Sequence, residues 1–238
     1  MADFVLVHGA WHGAWCWRDV LPLLRAKGHR AHAVTLTGVG ERVHLMSPAI
    51  TLETLIADVV NAIEAEEMER PVLVVHSFAG MIGTAIADRM SQRIAHLVYV
   101  DAVIPLPGES WSSTHTPATR EARIAASRAS HDYSFPPPDP SVYGLGGPQH
   151  EWVRRRQVPH PGHTYTATLD FDPRRVAGVP RTFVDCVSPP LATIDASRRR
   201  VRDPAFWGAP WRIVELGSGH DPMVSAPEDL SRILLDCA

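Results

Sequence analysis

Short apolar runs alternate along the chain with segments whose apolar residues recur at helical spacing. The apolar runs predict strands over residues 4–7, 31–36, 71–77, 94–100, 181–187 and 211–216. The helical spacing predicts helices over 20–27, 51–68, 80–90 and 192–200, and the capping-box pattern at 225–228 predicts a last helix. Strands that alternate with helices usually pair as a parallel sheet covered on both faces. The expected fold is therefore α/β, with a mostly parallel, doubly wound sheet.

The alternation stops between residues 105 and 178. This segment is rich in proline, histidine, serine and arginine and shows no regular strand–helix pattern. A structureless loop of this length is improbable in a compact domain. We therefore expect a core made of residues 1–104 and 179–238, with residues 105–178 inserted as a cap of short helices.

Composition and charge narrow the choice of partners. The 238 residues carry a formal net charge of −3, so no basic field invites nucleic acid or an anionic membrane. We expect no signal peptide and no membrane-spanning segment. The three cysteines, Cys16, Cys186 and Cys237, are far apart and lack zinc or redox spacing, which favours a reducing, cytoplasmic setting. No histidine spacing predicts a metal site.

One strand is followed at once by a serine and small residues. The run 72–76 leads directly into Ser77, and Phe78-Ala79-Gly80 follow. A buried strand, a sharp turn and a helix start in this order present a hydroxyl above the sheet, against the first amides of a helix. Ser77 is therefore the candidate nucleophile. The competing interpretation is a serine that only caps the helix.

An activated serine needs a base and donors for the oxyanion that forms. His220 follows the strand at 211–216 in a glycine-containing loop, so it is the candidate base. The amide of Phe78 is one candidate oxyanion donor. The other is the amide of Ala10, because Gly9 permits a tight turn after the first strand. We predict a structural role for His76, since adjacent side chains at a sharp turn point apart.

These features together resemble a known superfamily. The segment 4–17, FVLVHGAWHGAWCW, the His76-Ser77 turn and the late Gly219-His220 pair are similar to the α/β hydrolases. Within that superfamily the chain resembles the small branch of plant methyl-salicylate-type esterases and hydroxynitrile lyases. The resemblance covers residues 3–103 and 180–237 and implies an α/β-hydrolase core with a cap inserted in it.

The chain departs from this pattern at the turn around the serine. Val75 and Ala79 stand where the G-x-S-x-G pattern has glycines. The lyases resemble one another in residues that this chain replaces with Gly9 and Asp221, so the resemblance favours the esterase side.

The acid that orients His220 is not settled by the sequence. The family usually places it just after the strand at 181–187, where this chain reads Ser188-Pro189-Pro190. Some superfamily members resemble this chain in taking the acid from the end of the preceding strand, where Asp101 lies. Asp185, within a predicted buried strand, is the second candidate, and a dyad without an acid is the third.

The predicted function is that of a cofactor-independent serine hydrolase, a carboxylesterase or lactonase that binds a small hydrophobic substrate. Trp11 and Trp152 are candidate substrate contacts, with Trp111 and Phe78 beside them, although ordinary packing explains such residues equally well. Two alternatives stay open: a lyase or cyclase that uses the same site, and a ligand-binding protein without catalysis. The apolar last helix is compatible with a homodimer.

Overall fold

The structure, a computed structural model, describes residues 1–208 and 211–238. Its strands are β1 (Asp3–Val7), β2 (Arg30–Val34), β3 (Val72–His76), β4 (His96–Val100), β5 (Glu109–Ser110), β6 (Ser134–Phe135), β7 (His160–Pro161), β8 (Thr168–Leu169), β9 (Arg181–Cys186) and β10 (Arg212–Leu216). Its α-helices are α1 (Val20–Ala26), α2 (Leu52–Ala65), α3 (Gly80–Arg89), α4 (Pro117–Ala129), α5 (Gly147–Arg154), α6 (His163–Thr166), α7 (Pro173–Ala177), α8 (Asp195–Arg202), α9 (Pro222–Ser225) and α10 (Pro227–Leu235).

Six strands form one parallel sheet in the order β10-β9-β4-β3-β1-β2. Every residue of β3 is buried, as expected for a strand covered by helices on both faces. The chain runs outward from β1 to β2, then returns past β1 to β3 and continues in the opposite direction. The loops after β1 and β3 therefore leave in opposite directions, which opens a crevice at the carboxyl ends of these strands. The predicted α/β fold with a doubly wound sheet is confirmed.

Helix α2 shows why the predicted core elements form. Thr51 caps the helix by accepting from the Thr54 amide, and the apolar stripe behind it is buried against the sheet. The helix ends at Ala65 and not at residue 68. Glu67 adopts a left-handed φ of +52° there, and this turn buries Met68 and directs the chain into β3.

The start of the last helix differs from the prediction. Ser225 ends the short helix α9, and α10 begins at Pro227 without a side-chain cap. The Ser225 hydroxyl instead lies 2.6 Å from the Ser218 hydroxyl and donates to the Asp221 carbonyl. The capping-box pattern was misleading because Pro227, which has no amide hydrogen, fits the first helical position.

Residues 105–178 hold the helices α4 to α7 and two short antiparallel ribbons, β5 with β8 and β6 with β7. The sequence predicts the short helices but not the ribbons, whose strands of two residues are too short to show a period. The limits of the cap remain a prediction.

Helix α10 bears on two expectations about assembly and membranes. Leu230 and Leu234 are fully buried within the chain itself, where α10 packs against α1. The apolar face that was compatible with a homodimer is therefore used internally, and the homodimer stays a prediction. In the described part of the chain, no helix combines the length and the apolar character that crossing a membrane requires.

The valine before the serine turn is accommodated by a glycine on the neighbouring helix. A Cβ placed on Gly83 of α3 would lie 2.8 Å from Val75 Cγ1 and 2.9 Å from Cγ2. Such distances are shorter than van der Waals contact, so α3 approaches β3 closely only because residue 83 lacks a side chain. The bulk that Val75 adds in place of a glycine is thus offset by Gly83.

We expect Gly83→Ala to lower the free energy of unfolding by about 1–3 kcal/mol, since the new methyl group overpacks the contact with Val75. In the double variant Val75→Ala/Gly83→Ala the loss should be smaller than the sum of the single losses by about 1 kcal/mol. Urea denaturation of the four proteins measures this coupling. Gly217→Ala is the control, because an added Cβ there meets nothing within 4 Å. Strict additivity would show that the two positions do not share this space.

Candidate active site

The ends of four parallel strands bring the predicted site residues together. Ser77 follows β3, Asp101 follows β4, His220 follows β10, and the loop at 9–11 follows β1. Three non-glycine residues at these ends adopt left-handed backbone angles: Trp11 with φ +65°, Ser77 with +55° and Asp101 with +41°. Each such conformation costs about 1–3 kcal/mol and persists only where the surrounding structure enforces it. Their concentration at one edge marks this edge as a functional site.

A continuous line of hydrogen bonds joins three of these side chains. His220 Nε2 lies 2.9 Å from Ser77 Oγ, and His220 Nδ1 lies 2.6 Å from Asp101 Oδ2. An ionised carboxylate only accepts, so Nδ1 carries the proton and donates it to Asp101. Nε2 is then left to accept from the Ser77 hydroxyl. In this arrangement the histidine can remove the proton of the serine.

The main chain of His220 is held as firmly as its ring. Its amide donates to the Tyr143 carbonyl at 2.9 Å, and its carbonyl accepts from His76 Nε2 at 2.8 Å. Gly219 makes the first contact possible, since a Cβ there would lie 2.2 Å from the Tyr143 oxygen. Burial lowers the pKa of His76 well below its ordinary value, so His76 is a neutral donor. This contact accords with the structural role expected for His76.

The loop after β1 lies directly against the serine. A Cβ on Gly9 would come within 2.8 Å of Ser77 Cβ, so only glycine permits this approach. His8 fixes the loop: its Nδ1 donates to the Gly9 carbonyl at 2.7 Å, and its Nε2 accepts from the Leu36 amide at 3.1 Å. Burial lowers the pKa of His8 to about 3, which keeps the ring neutral in this role. The amide of Ala10 follows immediately after the glycine.

The amide of Phe78 occupies the first turn of the helical segment that begins at Ser77. Amides in a first helical turn have no acceptor within the helix, and they point towards anions. The side chain of Phe78 is fully buried, with its ring centroid 4.9 Å from that of Trp111. The backbone around Ser77 therefore presents a donor of the kind that stabilises an oxyanion.

A buried arginine on α8 distinguishes the two candidate acids. Arg198 donates from Nη2 to Asp101 Oδ1 at 2.7 Å and from Nε to Asp185 Oδ1 at 2.6 Å. Arg202 takes the other Asp185 oxygen at 2.6 Å. Both oxygens of Asp185 are thus bound to arginines, whereas Asp101 divides its oxygens between Arg198 and His220. Of the two aspartates, Asp101 is the one that contacts the imidazole.

A second buried pair, which the sequence analysis did not identify, lies beside the site. His12 Nε2 is 3.0 Å from Asp221 Oδ2, and His12 Nδ1 donates to the Ala10 carbonyl at 2.8 Å. Both ring nitrogens face acceptors, which requires the charged imidazolium. Burial alone would lower the pKa of His12, but the Asp221 carboxylate outweighs it and raises that pKa. In return, and against its own burial, His12 lowers the pKa of Asp221 to about 2.

The serine and histidine open into a cavity of about 240 Å³. Its wall is mostly apolar and includes Trp11, Trp111, Tyr143, Leu191, Ile194 and one charged side chain, Arg123. The structure places Trp152 elsewhere, in contrast to its expected substrate contact. Its ring packs against Trp15 at 5.1 Å and lies beneath the guanidinium groups of Arg18 and Arg156. Trp152 lies on α5 and is not among the residues that line this cavity.

The missed residues differ in how well the sequence marks them. His12 lies within the segment 4–17 that carries the family resemblance, and Asp221 directly follows the candidate base. Both lie in segments that the sequence singles out, but 209 positions separate them and nothing in the sequence shows that they meet. Arg123 and Tyr143 lie in the irregular segment 105–178, where no period indicates which side chains face the core.

One group in the described residues has the spacing that a metal ion needs: His76, His220 and Asp221, with ligand-type atoms within 4.8 Å of one another. His76 Nε2 already donates to a carbonyl, and His220 Nε2 faces Ser77. Because His220 Nδ1 lies beside Asp101, a cation bound to either nitrogen of His220 would displace one of its two hydrogen bonds. The nitrogens of His76 and His220 that hydrogen-bond in this structure are thus not free to bind a metal ion.

A serine on a strained turn after a parallel strand, with a histidine and an aspartate delivered from later strand ends, defines the α/β-hydrolase type of site. The chain belongs to the alpha/beta hydrolase family, whose model matches residues 4–233. It is 38% identical over 244 residues to the carbendazim hydrolyzing esterase of a Nocardioides species, covering 98% of both chains. It is 26% identical to methylesterase 7 of Arabidopsis thaliana, covering 99% of this chain and 95% of that one.

Solved structures show the same fold. An extracellular alpha/beta-hydrolase from a Paenibacillus species superposes with a TM-score of 0.82 at 19% identity, over 100% of this chain and 99% of that one. The predicted family and its esterase side are confirmed, and with them the predicted class of enzyme, a hydrolase of ester bonds.

We expect Asp221→Asn to lower the free energy of unfolding by about 3–5 kcal/mol near neutral pH, because it leaves the His12 charge buried without its partner. The depressed pKa of Asp221 contributes stability above about pH 4 that is lost as the pH falls towards 2. The raised pKa of His12 contributes stability that is fully present below about pH 6.5. This stability is lost as the pH rises from there through the raised pKa of the folded protein. The difference between wild type and variant, measured by urea denaturation, should therefore be largest between about pH 4 and 6.5. A difference that does not vary with pH would contradict the ion pair.

Proposed function

We propose that this protein is a carboxylesterase that cleaves small hydrophobic esters through an acyl-enzyme on Ser77, without a cofactor. The observation that carries the proposal is the line of hydrogen bonds from Ser77 through His220 to Asp101. All three side chains lie at the carboxyl edge of the sheet, and the serine and histidine face a cavity lined mainly by apolar groups.

In the proposed mechanism Ser77 Oγ attacks the ester carbonyl while His220 Nε2 takes its proton. The carbonyl oxygen becomes an oxyanion, which the amides of Ala10 and Phe78 bind. Asp101 stabilises the imidazolium and fixes its orientation. The C–O bond to the alcohol then breaks, and His220 gives its proton to the departing alkoxide. Water attacks the acyl-enzyme in the same way, with His220 as base, and releases the acid and free Ser77.

The size and chemistry of the cavity support an ester with a compact acyl group and a small alcohol. A cavity of about 240 Å³ lies at the small end of ligand pockets, and aromatic rings of Trp11 and Trp111 form part of its wall. Relatives that are named for carbendazim, methyl jasmonate and methyl esters support the same class. We accordingly propose methyl esters of aromatic or similarly flat acids as substrates.

The same proposal includes the setting in which the enzyme works. Cys16, Cys186 and Cys237 are all buried free thiols, which suits a reducing, cytoplasmic compartment. The substrate is a small molecule, and the charge of the chain offers no attraction to nucleic acid.

The serine and its acid can be tested by covalent labelling. We expect a fluorophosphonate probe to label Ser77, and Ser77→Ala or His220→Gln to lose p-nitrophenyl acetate hydrolysis by several orders of magnitude. Asp101→Asn should slow labelling by about 10²- to 10⁴-fold, because the imidazole loses the partner that orients it. The labelled residue is located by peptide mass spectrometry.

Asp185→Asn is the matched control, since Asp185 contacts the same arginine but not His220. It should label at close to the wild-type rate once the folded fraction is taken into account. Labelling that slows only in Asp185→Asn would overturn the assignment of the acid. A wild-type protein that neither labels at Ser77 nor hydrolyses activated esters would overturn the esterase itself and favour a binding protein or a lyase.

A further inference from the structure

A positively charged side chain lies in the cavity beside Ser77 without a negative partner. Arg123 projects from α4 into the wall of that cavity, and its position is half-buried. Within residues 1–208 and 211–238, no carboxylate comes within 4.0 Å of its guanidinium. Its neighbours are aromatic: Cζ lies 5.1 Å from the ring centroid of Trp11, 5.2 Å from Trp111 and 5.3 Å from Tyr165.

The polar neighbours of Arg123 are His115 and the Tyr165 hydroxyl, and neither compensates its charge; burial raises the pKa of Tyr165, so that hydroxyl stays neutral near pH 7. Arg123 Nη1 lies 3.1 Å from His115 Nε2, and because a guanidinium can only donate, this nitrogen is the acceptor. Burial and the adjacent guanidinium lower the pKa of His115 to about 4, so the ring is neutral near pH 7. His115 thus orients the guanidinium and leaves its positive charge in place.

Two other arginines with little exposure, the buried Arg198 and the half-buried Arg200, are paired with carboxylates. Arg198 meets Asp101 and Asp185, and Arg200 meets Glu109 through both of its terminal nitrogens. Removing a guanidinium from water is costly, and these two recover the cost through carboxylates. For Arg123, contact with the faces of aromatic rings offsets part of this desolvation cost. Arg123 also lines the cavity into which the substrate would enter.

We propose that Arg123 is an anion-binding subsite that selects esters whose acyl group carries a second, ionised carboxylate. The inference rests on the proposed function, because it concerns the substrate of the same site. The apolar walls would hold the carbon skeleton of the acyl group, which is flat or short. The ester and the free carboxylate would lie at its two ends. Ser77 would attack the ester carbonyl at one end, and Arg123 would bind the free carboxylate at the other. The class of substrate is thus a half ester of a dicarboxylic acid, and water converts it into the dicarboxylate and an alcohol.

The test compares esters that differ in charge and hardly in shape. The substrates are the monomethyl esters of terephthalic and isophthalic acid, with methyl 4-carbamoylbenzoate as the neutral isostere and methyl benzoate as the unsubstituted reference. We expect wild-type kcat/KM for the better half ester to exceed that for the isostere by about 10-fold or more. Arg123→Gln should lower kcat/KM for the half esters by about 10- to 100-fold and change that for methyl benzoate little. Arg123→Lys should retain part of the preference, since it keeps the charge but loses the planar fork.

Arg128→Gln is the control variant, since Arg128 is an exposed arginine on the same helix. It should leave the preference for half esters unchanged. An equal loss on charged and neutral esters in Arg123→Gln would show that Arg123 only packs the cavity wall, and it would overturn the subsite.

Direct binding separates failure of the subsite from failure of the esterase. Isothermal titration of isophthalate and benzamide into Ser77→Ala, with and without Arg123→Gln, needs no turnover. Isophthalate binding that disappears with Arg123→Gln supports the subsite even if no ester is cleaved. Turnover of neutral esters without any binding of isophthalate would overturn the subsite and leave the esterase intact.

Discussion

The pairing of β3 between β1 and β4 is the constraint on which the site depends. Because the three strands are parallel and in register, the residues that follow them leave the sheet at one edge, a few ångströms apart. Gly9 and Ser77 then meet at a distance that tolerates no side chain on the glycine. The positions of the serine, the neighbouring amides and Asp101 follow from this pairing, whereas His220 arrives from the edge strand β10 and needs further support.

That support comes from buried charges that compensate one another. Asp101 divides its carboxylate between His220 and Arg198, and His12 and Asp221 form a second pair beside the loop after β1. Buried pairs contribute little net stability compared with apolar packing, but breaking one is costly. The Asp101–Arg198 pair and the His12–Asp221 pair both contact segments that carry site residues. A change that moved these segments would therefore also separate buried charges. Rigidity at this edge is therefore linked to the stability of the whole fold.

The sequence predicts the core well because the periodic spacing of apolar residues is visible there. The strands and helices on either side of Ser77 were predicted to within a few residues, and the strand ends pointed to Ser77 and His220. The choice between Asp101 and Asp185 could not be made in this way. It depends on Arg198, which reaches both aspartates from a helix about 100 residues away from one of them. Trp152 and Arg123 lie in the irregular segment, where position along the chain does not reveal which side of the protein a side chain faces.

The hydrogen bond from the His220 amide to the Tyr143 carbonyl has a consequence for how such enzymes diversify. It ties the imidazole to a turn within residues 105–178, the predicted cap. Segments of this kind vary between relatives and set which substrates enter. In this chain the segment cannot be exchanged as an independent module, because its turn at 143–144 also holds the main chain of His220. A change of substrate range in this chain must therefore alter the cavity walls while the Tyr143 carbonyl stays in place.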